Sequence, residues 1–112
     1  MKYPWMPMYW GDYYAKTGHL STIQHGAYLL LIGHYWCSGG LPTTDKELMA
    51  IARMTPEEWA SNCYAIAKFF DHAWRQSRID KELGKSKNIR EKRSLAGVKG
   101  AWTRHGKFPR VV

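Results

Sequence analysis

The stretch that decides the fold is residues 21–38, STIQHGAYLLLIGHYWCS. Ser21 is followed three residues later by Gln24, a capping-box spacing in which each side chain satisfies the other residue's backbone amide at a helix start. From residue 27 to residue 36 the segment is apolar nearly all round, as is typical of a helix enclosed by other elements. Glycines at positions 39 and 40 end the pattern. The sequence therefore predicts a central helix over residues 21–38.

Two shorter helices are predicted after the central one. Thr44 and Glu47 repeat the capping-box spacing, and apolar residues at helical period continue to Arg53. Thr55 begins a third helix with a proline at its first helical position, and an apolar stripe at intervals of three and four runs to Phe70. The three helices together supply a core.

The sequence before the central helix predicts an extended segment and a short helix. Aromatic residues and a proline alternate along one side of residues 3–9: Tyr3, Trp5, Pro7 and Tyr9. Prolines at 4 and 7 lack the amide that a central strand needs, so this segment is expected to be an edge strand or an extended arm over the core. A short helix is predicted over residues 11–17.

After the third helix, residues 73–79 alternate in the manner of a short strand or hairpin arm. Residues 80–97 return to helix formers with sparse apolar positions, which predicts a solvated helix that frays into a tail. The order predicts a mainly α, winged helix-turn-helix-like fold with three core helices, a short N-terminal strand and a wing. The predicted domains are a winged-helix-like unit at 1–80 and a basic C-terminal helix and tail at 81–112. A plain helical bundle with a basic C-terminal helix is the competing architecture.

Positive charge is concentrated in the last third of the chain. The 112 residues carry a net charge of +8, yet residues 1–71 hold five Lys or Arg against six Asp or Glu. Residues 72–112 hold twelve against three, a surplus of nine. Such a segment either binds phosphates, with release of counterions, or is a solvated face that keeps the protein in solution. The local surplus favours nucleic acid. The candidate nucleic-acid-binding residues are Arg75, Arg78, Lys81, Lys85, Lys87, Arg90, Lys92, Arg93, Lys99, Trp102 and Arg104.

The predicted third helix, which would read bases in a winged helix, has the wrong charge for that task. Glu57 and Glu58 occupy its first turn, and Lys68 is its one cation. Backbone contact by the predicted wing and the tail, with little sequence specificity, is therefore the expected mode of binding.

Other classes of protein find little support in the sequence. Residues 1–10 lack the apolar run and cleavage site of a signal peptide, and no apolar stretch approaches the roughly 20 residues of a membrane span. The two cysteines, Cys37 and Cys63, form no disulfide framework, which is typical of a cytoplasmic protein. His34 and Cys37 lie three apart on one helix without a second pair to complete a zinc site. No catalytic constellation or phosphate-cradling loop stands out, so neither an enzyme nor a cofactor is expected.

Four segments in order resemble a known family: YPWMPMYWGDYYAKTGHLS (3–21), HGAYLLLIGHYW (25–36), GGLPTTDKELMAIARM (39–54) and WRQSRIDKEL (74–83). Together they resemble the YdaU-like domain of unknown function found in phages and prophages. The resemblance implies similarity to the N-terminal winged-helix domains of phage replisome organisers, and a role in starting DNA replication. Longer members have more sequence after this domain, so a separate helicase-contacting domain is expected to be missing here.

Two functions follow as hypotheses. The first is a non-enzymatic phage or prophage DNA-binding accessory protein of the replication-initiation or replisome-organiser type, for which DNA is the expected partner and a host or phage replication protein is a candidate partner. The alternative is a small phage-encoded inhibitor of a host protein or nucleoprotein complex, such as an anti-CRISPR or other counter-defence factor. The many aromatic residues between 3 and 14 are expected to be core packing or a protein–protein surface. Because replisome-organiser domains often self-associate, the resemblance also implies a homo-oligomer.

Overall fold

The computed structural model describes residues 5–87, and these form five helices. Four are bounded at both ends: α1 (Trp10–Thr17), α2 (Thr22–Ser38), α3 (Asp45–Ala52) and α4 (Pro56–Ala67). The fifth, α5, occupies residues 77–87 of the described part. The predicted central helix, the two helices after it and the short helix before it are all present, so the mainly α prediction is confirmed.

Capping chemistry sets the helix starts where the sequence placed them. Ser21 accepts a hydrogen bond from the Gln24 amide, and the Gln24 side chain accepts one from the Ser21 amide in return. The same reciprocal pair joins Thr55 and Glu58 at the start of α4. Gly39 ends α2 in the left-handed conformation, with its amide donating to the Tyr35 carbonyl.

We expect Thr55→Ala to lower the free energy of unfolding by about 1 kcal/mol, because the orphan amide of Glu58 loses its acceptor. Chemical denaturation followed by circular dichroism measures the change. Thr43→Ala is the matched control, since Thr43 is an exposed threonine in the loop before α3. An equal loss in both variants would contradict the capping role.

The core forms where α3 and α4 pack against α2. Leu31 and Tyr35 of α2, Leu48 of α3 and Ile66 of α4 are completely shielded from solvent. Ile79 of α5 is also buried, and Leu83 packs against the same cluster. The helix predicted to begin at residue 80 as a solvated element therefore begins three residues earlier and contributes to the core.

The predicted wing and N-terminal strand are wrong, because residues 5–87 contain no strand. The segment that alternates in sequence is a turn followed by the start of α5. The Asp71 carboxylate accepts hydrogen bonds from the amides of Ala73 and Arg75, and Trp74 adopts a left-handed conformation with φ 57°. These local bonds satisfy the backbone amides that a hairpin would have paired.

Residues 5–9 form the extended arm that the sequence offered as the alternative to a strand. The side that carries the aromatic residues faces away from the core. Met6 and Met8 pack against the core, whereas Trp5 and Tyr9 are exposed. The two methionine side chains line a narrow cleft beside α5. No helix within residues 5–87 is long and apolar enough to cross a bilayer.

Candidate nucleic-acid interface

Three predicted phosphate-binding residues lie along one flank of α5. Arg78, Lys81 and Lys85 follow one another at spacings of three and four, which places them on the same side of a helix. The core-facing residues Ile79 and Leu83 lie on the adjoining side. We name Arg78, Lys81 and Lys85 the basic flank.

The two lysines of the basic flank are open to solvent. In the described part of the chain, no carboxylate lies within ion-pair distance of Lys81. The Lys85 ammonium is 3.4 Å from the Glu82 carboxylate, but the lysine side chain remains 68% exposed. An ion pair this open contributes little to stability, so Lys85 can exchange its partner for a phosphate at small cost.

Arg78 connects the basic flank to α1 and to the arm. Its guanidinium carbon lies 5.1 Å from the centroid of the Tyr9 ring, in a cation–π arrangement. One guanidinium nitrogen also lies 4.0 Å from the Asp12 carboxylate. Both contacts fix the direction of the side chain while about a third of it stays accessible. The contacts with Tyr9 and Asp12 therefore hold the Arg78 side chain in place without burying it.

Arg75, the first predicted phosphate-binding residue, makes several contacts within the protein, although 42% of its side chain is exposed. Its guanidinium donates to the Gly39 carbonyl at 3.1 Å, pairs with the Asp80 carboxylate and lies over the Tyr35 ring. A side chain added at Gly40 would collide with this guanidinium. Arg75 thus joins the end of α2 to the start of α5, and its charge is matched by an acid beside it.

A buried tyrosine completes this connection. The Tyr35 hydroxyl donates to the Asp80 carboxylate and accepts a hydrogen bond from the Gln76 amide. Burial raises the pKa of Tyr35, and the hydrogen bond to Asp80 raises it further, so the hydroxyl keeps its proton for donation. We name Tyr35, Arg75, Gln76 and Asp80 the polar hub. The hub holds the N-terminal end of α5 against α2 and so orients the basic flank.

Gln76 extends the polar hub to a second tyrosine. Its side-chain amide donates to the Tyr28 hydroxyl at 2.9 Å and to the Phe69 carbonyl at 3.0 Å. Burial also raises the pKa of Tyr28, ahead of the opposing influence of that hydrogen bond. Every buried side-chain nitrogen or oxygen in the described residues has a hydrogen-bond partner. Gln76 thus joins the start of α5 to α2 and to the segment after α4.

The remaining predicted residues divide into two groups. Lys87 is exposed on α5, at a position outside the spacing of the basic flank. Six others lie outside the described residues: Arg90, Lys92, Arg93, Lys99, Trp102 and Arg104. The division of the chain at residue 80 stays a prediction.

That α4 does not read a groove stays a prediction, and it rests on the charges at the two ends of the helix. Glu57 and Glu58 stand in its first turn, and the latter closes the capping box. The ammonium of Lys68, just past the helix end, lies 4.6 Å from the centroid of the Tyr64 ring. Within residues 5–87, the row of accessible cations lies on α5.

The contact between Tyr9 and Arg78 was missed at the sequence level. These residues are 69 positions apart, and only packing of the arm against α5 brings them together. The excess of aromatic residues between 3 and 14 was the one available signal.

For metal binding, no group of three or more potential ligands occurs within residues 5–87, and His34 lies within hydrogen-bond distance of Ser38.

Comparison with known proteins finds one family and one curated relative. Residues 4–84 match the family described as "Protein of unknown function (DUF1376)". The chain is 40% identical over 97 residues to the uncharacterized protein YdaU of Escherichia coli (strain K12), an alignment that covers 84% of this chain and 34% of the relative. The chain thus spans about a third of the length of that relative. No solved structure matches the chain.

Proposed function

The chain belongs to the DUF1376 family, and for this member we propose a non-enzymatic DNA-binding accessory role in which the basic flank holds the phosphate backbone. The observation that carries the proposal is the alignment of Arg78, Lys81 and Lys85 on one accessible side of α5. Cations repeated along one helix face neutralise successive phosphates and release their counterions. Binding of this kind is strongest at low salt.

The proposed binding is weakly specific. Lysine ammonium groups act as point charges and read the backbone, whereas base readout requires side chains that enter a groove in fixed geometry. The acidic first turn of α4 offers no such element. The setting in phage or prophage replication rests on the family resemblance alone, and the formation of homo-oligomers stays a prediction with it.

Neutralising both lysines of the basic flank tests the proposal. We expect Lys81→Gln/Lys85→Gln to weaken DNA binding, and to lower the slope of log affinity against log salt by roughly 1.5, as two phosphate contacts are lost. Fluorescence anisotropy with labelled DNA over a salt series measures both quantities. Circular dichroism confirms that the variant keeps its helices.

Lys46→Gln/Lys68→Gln is the matched control, because it removes the same charge from α3 and from the end of α4. The slope should stay close to that of the unaltered protein. Equal losses in the two double variants would assign binding to overall charge and contradict the basic flank. No binding by the unaltered protein at low salt would refute the function itself.

A protein partner is the second candidate function, as for a small phage-encoded inhibitor of a host protein. The exposed aromatic rings of Trp10 and Tyr14 favour it, because such residues are common interface anchors. Affinity capture from a host lysate after nuclease digestion separates the two functions. A specific partner retained after digestion, and lost in Trp10→Ala, would favour the inhibitor, whereas loss of all captured protein would favour the DNA-bound role.

A further inference from the structure

Exposed aromatic side chains are concentrated in one short segment beside the basic flank. Seven large apolar side chains are exposed in the described residues, and four of them fall within residues 5–14. All four are aromatic: Trp5, Tyr9, Trp10 and Tyr14. We name this set the aromatic arm. Single exposed apolar residues are ordinary, but a local group of exposed rings marks an interaction surface.

Residues 5–9, the extended part of the aromatic arm, are held against α5 because their side chains alternate between the core and solvent. Met6, Pro7 and Met8 line a narrow cleft together with Ile79 and Glu82 of α5. The neighbouring rings are left outside, with Trp5 71% and Tyr9 52% exposed. The arm therefore presents aromatic rings from a packed backbone, which lowers the entropy lost when a ligand stacks on them.

Arg78 makes the aromatic arm and the basic flank one continuous surface. It belongs to the row of cations on α5, and it also lies over the Tyr9 ring. A second pair of rings follows on α1, where Trp10 and Tyr14 are 6.1 Å apart between centroids and tilted by 34°. Phosphate-binding cations thus stand next to accessible π-faces.

We propose that this surface selects single-stranded nucleic acid, an inference that rests on the proposed function of the basic flank. Cations that follow a backbone, combined with rings on which successive bases stack, are the common means of binding single strands without sequence preference. In a duplex the bases are already paired and stacked inside, so the rings would gain nothing while the cations would still bind. The aromatic arm therefore adds affinity for unpaired bases only.

Paired binding measurements with the full chain test the inference. The probes are a labelled thymidine oligomer of about 12 nucleotides and a blunt-ended duplex of the same length, both at low salt. We expect the single strand to bind more tightly. Tyr14→Leu should weaken single-strand binding about five- to tenfold and leave duplex binding and both salt slopes nearly unchanged, because Tyr14 is 68% exposed and Tyr9, not Tyr14, lies against Arg78.

Tyr64→Leu is the matched control, because Tyr64 is a 74% exposed tyrosine on α4, remote in sequence from both parts of the surface. Its binding to either probe should equal that of the unaltered protein. Equal affinity for the two probes, or equal losses on both in Tyr14→Leu, would overturn single-strand selection while the proposed function stood. Absence of binding to both probes would overturn the proposed function as well. An RNA oligomer that binds as well as DNA would support selection of the single strand.

Discussion

Replacing Tyr35 with alanine is expected to lower the free energy of unfolding by about 3–5 kcal/mol, the cost typical of emptying a buried aromatic site. Tyr35 is completely shielded from solvent in the last turn of α2. The substitution also removes the acceptor of the Gln76 amide and one donor to the Asp80 carboxylate. Denaturant unfolding followed by circular dichroism measures the loss.

Tyr35→Phe is the companion variant, because it keeps the ring and deletes the hydroxyl. We expect it to cost about 1–3 kcal/mol, since the part-buried Gln76 amide then lacks its acceptor. The difference between the two variants separates packing from hydrogen bonding in the polar hub. A phenylalanine variant as stable as the unaltered protein would show that the hydroxyl has no part in holding α5.

The second large effect is expected at Leu48, the residue that carries α3 into the core. Its side chain is fully buried, so Leu48→Ala should lower the free energy of unfolding by about 2–5 kcal/mol through lost burial and a residual cavity. The same unfolding measurement applies. Leu29→Ala is the control, because Leu29 on α2 is 39% exposed and should change stability by only about 0.5 kcal/mol. Similar losses at the two positions would contradict the assignment of the core.

Helix starts were predictable from the sequence because their chemistry is local. The side chain and the amide that satisfy one another at Ser21 and Gln24 are three residues apart, so their spacing alone indicates the start of α2. The same holds for Thr55 and Glu58 at α4. The glycine that ends α2 is equally visible, since the left-handed residue follows the helix directly.

The wing was predicted wrongly because seven residues of alternation do not distinguish a strand from a turn and the first turn of a helix. The decisive interactions are the hydrogen bonds that the Asp71 carboxylate accepts from two backbone amides. They stabilise the turn that precedes α5. A short-range motif of this kind outweighs β propensity when no second strand is available to pair with it.

The positive charge of the candidate site was predictable from the sequence, but the residues that belong to the site were not. The count of charged residues placed the cations in the last third of the chain. Lys81 and Lys85 are indeed exposed on α5. Arg75 looked equivalent in the sequence, yet its partners Gly39 and Tyr35 are 36 and 40 positions away, and only tertiary packing assigns it to the polar hub. The position of Tyr9 under Arg78 depends on packing in the same way.

The polar hub has a consequence for the order in which the molecule opens. α5 is joined to α2 through hydrogen bonds between residues 41 to 48 positions apart, and it adds few apolar side chains to the core. Such an element forms a separate cooperative unit that detaches at lower free energy than the body. We therefore expect amide hydrogens of α5 to exchange with solvent through a partial opening that leaves α2, α3 and α4 folded, and we expect a ligand on the basic flank to slow that exchange by holding the closed form.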